Sequence, residues 1–93
     1  MVMFKFKDER KKENILEAKE MLDALMGKVP SLRSMTVGMN VIEADRAMDI
    51  GLIAEFDDTE GLDAYDTHPE HEKVKIFIKS VAEYSKAVDY EKV

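Results

Sequence analysis

The sequence predicts an α+β domain with the element order β-α-β-β-α-β. Three observations carry this. Apolar residues recur at helical spacing in two separate stretches, residues 15–26 and 74–81. Strand-like stretches stand before, between and after them. Gly, Pro and Asp punctuate the junctions.

Residues 2–7 alternate loosely and include Phe4 and Phe6, which reads as a short strand. Residues 8–14 are charged and polar and lead into a helix. There Ile15, Leu16, Ala18, Met21, Leu22, Leu25 and Met26 repeat at helical spacing. Gly27 supplies a stop, because glycine accepts the left-handed conformation that ends many helices, so the helix is expected over about residues 9–26. Residues 32–41 place Met35, Val37, Met39 and Val41 on one face of a strand, with Thr36, Gly38 and Asn40 on the other. A hairpin through residues 43–48 joins this strand to a more apolar one over residues 49–56.

Asp57, Asp58 and Thr59 offer side-chain acceptors for a helix N-terminus, and Glu60 adds negative charge to its first turn. Pro69 would break a helix interior but is tolerated in a first turn, so the second helical stretch is split and restarts there. Val74, Phe77, Ile78 and Val81 then form an apolar stripe. Residues 84–90 place Tyr84, Lys86, Val88 and Tyr90 on one face of a final strand.

This order is that of the ferredoxin-like fold, an antiparallel four-stranded sheet with helices on one face. The opposite face needs cover. Its expected apolar residues are Phe4 or Phe6, members of the Met35/Val37/Met39 row and one face of residues 49–56. A second copy of the chain is the simplest cover. The 93 residues make one domain, without repeat or linker.

Composition narrows the function classes. The chain is 45% hydrophobic and 37% charged, which is the balance of a globular domain. Its net charge of −6 disfavours nucleic acid, whose phosphates an acidic surface repels. With no cysteine, disulfides, thiol catalysis and Cys-based zinc sites are excluded. No apolar run approaches the ~20 residues that span a bilayer, and no signal-peptide pattern opens the chain, so no membrane partner and a cytoplasmic location are expected. The methionines read as core fillers. The four glycines are isolated, so there is no phosphate-binding loop, and no cofactor is expected.

Both histidines fall in Tyr65-Asp66-Thr67-His68-Pro69-Glu70-His71. His71 is the main catalytic candidate, because a neutral imidazole takes up a proton near pH 7. Tyr65 is its companion, able to donate a hydrogen bond to a carbonyl or a developing enolate. Tyr65, His68, His71 and Phe77 are the expected ligand-binding set. Against this stand structural roles: Tyr65 packing in the core, His71 bracing the helix break and His68 shaping it. The proline between the two histidines spoils simple helical spacing, so no metal site is expected.

The same residues carry a family likeness. Phe4-Lys5-Phe6-Lys7, Pro30-Ser31-Leu32-Arg33-Ser34, Glu55-Phe56-Asp57-Asp58, the Tyr65–His71 heptapeptide and Val88-Asp89-Tyr90-Glu91 together resemble the stress-responsive A/B barrel (Dabb) domain family of dimeric α+β barrels. The resemblance implies a homodimer whose two sheets face each other, with the terminal strand contributing to the partner's side. It also implies a cavity between sheet and helices that holds a small apolar or carbonyl-containing molecule. A few relatives cyclise polyketides, and related dimeric barrels include haem-degrading and quinone-forming monooxygenases. A lyase or cofactor-free monooxygenase using Tyr65 and His71 is therefore the catalytic alternative to a ligand-binding domain. The chain departs from the family at two places. It lacks the histidine that usually precedes the first strand, and Asp49-Ile50-Gly51 holds none where the polyketide cyclase of the family has one.

Overall fold

A computed structural model describes residues 1–91. The order is β1 (Val2–Phe6), α1 (Lys11–Asp23), β2 (Ser34–Met39), β3 (Ile50–Glu55), α2 (Thr59–Asp66), α3 (Pro69–Val81) and β4 (Ala82–Ala87). The strands form one antiparallel sheet in the order β2-β3-β1-β4. This is the expected ferredoxin-like arrangement, with the second helical stretch split before Pro69.

The register decides which residues share a face. Val2 pairs with Leu52, Phe4 with Ile50 and Val37 with Leu52. These side chains point toward the helices, because Phe6, Val37, Ile50 and Leu52 are buried together with Ala18, Leu22, Leu25, Val74 and Ile78. Met35 and Phe4 pack against the same core. Phe4, Phe6, Met35, Val37 and Met39 therefore lie on the helix side, not on the bare face where they were expected. The row 35/37/39 lies on the same side as Phe4 because β2 pairs with β3 in phase with β1. The bare face instead carries Met3, Lys5, Thr36, Gly38, Gly51, Ile53, Tyr84 and Lys86. Ile53 and Tyr84 are 45% and 43% exposed there.

Several boundaries differ from the sequence expectation. The first helix ends at Asp23, and successive turns through residue 28 follow it, with Leu25 N–H donating to Leu22 and Val29 N–H to Leu25. These turns return Leu25, Val29 and Leu32 to the core. Gly27 does take a left-handed conformation (φ 88°), but within this turn run rather than at the helix end. Strand β2 stops at Met39, and Val41 is fully exposed. Strand β4 begins two residues early, at Ala82, and its ladder ends at Ala87, so Val88 and Tyr90 lie beyond it. Among the described residues no helix is long and apolar enough to cross a membrane.

Candidate functional site

The site grows out of the helix break. Asp58 caps α2, its Oδ1 accepting the Gly61 N–H at 2.8 Å. The helix closes at Asp66. His68 then adopts an extended backbone (φ −65°, ψ 136°), as the residue before a proline prefers, and Pro69 opens α3. The His68 Nδ1 accepts the Glu70 N–H at 3.1 Å and so caps α3. Glu70 and Glu72 in the first turn complement the helix dipole.

A helix that stops leaves its last carbonyls without helical partners. The Asp66 carbonyl is satisfied by His71, whose Nδ1 lies 3.2 Å away. A carbonyl oxygen can only accept, so Nδ1 carries the proton and Nε2 holds the lone pair. The His71 ring stacks on Tyr65, with centroids 4.1 Å apart and planes at 28°. Tyr65 also meets Phe56, with ring centroids 5.1 Å apart and planes tilted by 50°. Tyr65 thus contacts two rings and is 7% exposed. No described residue hydrogen-bonds its hydroxyl, and that oxygen is not sealed from solvent, so it opens on the space beside it.

That space is a cavity of about 1290 Å³ between the sheet and helices α2 and α3. Phe4, Leu52, Ala54, Leu62, Val74 and Ile78 supply apolar wall, and Tyr65 and His71 supply its inner polar groups. Lys75 reaches the same wall, held by Asp66 Oδ1 at 3.0 Å and Glu72 Oε1 at 3.1 Å. The Asp66 hydrogen bond, ahead of that from Glu72, holds the Lys75 ammonium above its usual range, while partial desolvation opposes it.

Burial sets both titrating groups toward neutrality. It pushes the Tyr65 phenol up to about 12, with the nearby Asp66 charge adding to the effect. It also lowers the His71 imidazole below its ordinary value. The Asp66 carbonyl opposes that shift, and the Lys75 charge reinforces it. At neutral pH the pair is a protonated phenol beside an uncharged imidazole.

The structure brings Tyr65 and His71 together on one cavity wall and leaves His68 and Phe77 off it. The His68 ring is occupied at the α3 cap. Phe77 packs beside the core one helical position away from Ile78, outside the 71/74/75/78 face that borders the cavity. Sequence reasoning did not single out Asp66 and Lys75. Their signal was the spacing of His71 and Lys75, four apart on one helix face. Among the described residues no three His, Asp or Glu side chains converge on a common point.

The model of the stress responsive A/B barrel domain family matches residues 1–92. The chain belongs to this family. Its fold is shared with a dimeric protein of unknown function from Bacteroides fragilis NCTC 9343. That protein is 33% identical, with a TM-score of 0.87 over 98% of this chain and 91% of the other. A dimeric ferredoxin-like protein of unknown function from Jannaschia sp. CCS1 is 27% identical, with a TM-score of 0.81 over 98% and 94% of the two chains. An Arabidopsis thaliana protein shares the fold at 18% identity, with a TM-score of 0.85 over 99% and 91%. None of the curated proteins is significantly similar in sequence. The A/B barrel assignment agrees with the sheet topology and with the helix-lined cavity of a single protomer.

Proposed function

We infer that this A/B barrel protein is a homodimer that holds a small apolar molecule in its sheet–helix cavity. The observation that carries the reading is the Tyr65 side chain. It is buried against Phe56 and His71, yet its hydroxyl has no described protein partner and opens on an apolar-walled cavity. A buried donor is normally hydrogen-bonded, so a ligand head group or water is its natural complement. The dimeric relatives and the uncovered sheet face with exposed Ile53 and Tyr84 support self-association. The cysteine-free composition fits a reducing compartment such as the cytoplasm.

Native mass spectrometry of freshly purified protein tests both halves. A dimer carrying an added small-molecule mass is expected. A monomer at micromolar concentration would remove the dimer. A dimer that stays empty when offered apolar probes would remove the ligand.

One observation favours a second, catalytic reading. The Asp66 carbonyl fixes the His71 tautomer, leaving an uncharged Nε2 beside the Tyr65 phenol. With a ketone bound, Tyr65 would donate to the carbonyl oxygen while Nε2 takes the adjacent C–H proton, and the enolate would then be reprotonated or, in a substrate with a second carbonyl, attack that carbon, whose oxygen takes the proton back from His71. Exchange of that C–H for deuterium in heavy water, lost in His71→Ala with the dimer retained, is the expected signature.

A further inference from the structure

The charge around the cavity carries information about its ligand. Asp63 on α2, Glu83 on β4, and Asp89 and Glu91 beyond it all border the opening. No ion pair engages these four among the described residues. Lys75 is already committed to Asp66 and Glu72, which leaves Lys79 and the Met1 ammonium, itself donating to the Val88 carbonyl, as the wall cations without an ion pair among the described residues. The inner polar groups are uncharged: the hydroxyl of the buried Tyr65, which no described residue hydrogen-bonds, and a His71 imidazole with Nε2 to accept.

We propose that the cavity takes an uncharged apolar molecule with a hydrogen-bonding head and turns away carboxylates and phosphates of the same size. The inference rests on the ligand-binding reading above and names its substrate class. An anionic head inside would lose its water without an uncommitted cation to meet beside Tyr65 and His71, since neither supplies a charge and Lys75 is held by Asp66 and Glu72. An anionic head at the mouth would meet the field of several carboxylates, and a net charge of −6 per chain means that a second copy adds to this field rather than cancelling it. An uncharged head escapes both costs, accepting from the Tyr65 hydroxyl and donating to His71.

The test uses matched probes on the intact protein: a twelve-carbon methyl ketone and the twelve-carbon carboxylate, each displacing Nile red. The ketone is expected to bind at least about tenfold more tightly at low salt, with the gap narrowing as salt screens the rim. Asp63→Lys with Glu83→Lys is expected to strengthen carboxylate binding several-fold relative to the ketone, because both positions are exposed at the opening. Equal or tighter binding of the carboxylate to the unmodified protein would overturn the inference while leaving the cavity reading intact. Failure of both probes to displace the dye would remove the cavity reading, and this inference with it.

Discussion

The His71 imidazole bridges two helices: its Nδ1 binds the Asp66 carbonyl at the end of α2 from the first turn of α3, while its ring lies on Tyr65. One side chain thus closes the helix break and forms part of the cavity wall. His71→Ala is expected to lose both contacts and about 1–2 kcal/mol of stability. His71→Phe keeps the stack and loses only the hydrogen bond, at about 1 kcal/mol. Urea unfolding of the two variants separates the contributions. Equal stability of all three proteins would show that the break holds without His71.

Acid should weaken the fold through the same residue. The unfolded imidazole has its ordinary value of 6.5, while the folded one binds its proton more weakly because it is desolvated. The unfolded chain therefore gains from protonation. The His71 contribution is complete above about pH 6.5 and is lost as pH falls through the lower folded value. Urea midpoints between pH 8 and pH 5 should fall less steeply in His71→Phe than in the parent protein. Parallel curves would rule out His71 as the titrating group.

Tyr65 gives the opposite dependence. Its folded value of about 12 lies above the ordinary 10.0, so the folded state resists ionisation. That contribution is complete below pH 10 and is lost as pH rises through about 12. Phenolate absorbance should show a late component among the three tyrosines, absent in Tyr65→Phe. If Tyr65→Phe instead removed a component near the ordinary value of 10.0, the phenol would lie in open solvent.

Asp49 holds the junction of β1 and β3. Its Oδ2 accepts the N–H of the fully buried Phe6 at 2.7 Å, beside the register shift between Lys5 and Phe6, and Lys11 lies 3.7 Å from the same oxygen. Asp49→Ala leaves a buried N–H without a partner and should cost about 1–3 kcal/mol. Asp49→Asn keeps an acceptor and should cost less than about 1 kcal/mol, because the ion pair is partly solvated. The difference between the two unfolding curves measures the hydrogen bond. Coincident curves would mean that another acceptor replaces it.

The helix break was legible because proline chemistry is local: Pro69 lacks a donor and His68 before it must be extended, whatever surrounds them. The meeting of Tyr65 and His71 followed from their flanking that break. The partner of His71 was not legible, because it is a main-chain carbonyl and leaves no mark in the sequence. Phe77 illustrates a different limit. It belongs to the apolar stripe of α3, but a stripe shows which side is dry, not which part of it borders a cavity. The sheet shows the same limit at larger scale. Alternation groups Phe4 with Phe6 and Met35 with Val37, and only the register together with the helix packing reveals that both rows face inward.

That assignment makes Gly51 the informative position on the uncovered face. Gly51 pairs with Gly38 and Met3, and a Cβ built on it meets nothing within 4 Å. Within one protomer Gly51→Val is therefore sterically free, and a branched residue suits a strand better than glycine does. A second sheet packed on this face would feel the added side chains at its closest approach, twice over if the two copies are related by a twofold axis. Gly51→Val is expected to leave the circular dichroism of the folded chain unchanged while weakening the dimer by about tenfold or more, read by sedimentation across a concentration series. Ile53→Arg on the same face should do so more severely, by burying a charge without a partner. If both variants dimerise as the parent does, the copies meet elsewhere, and the exposed Ile53 and Tyr84 need another explanation.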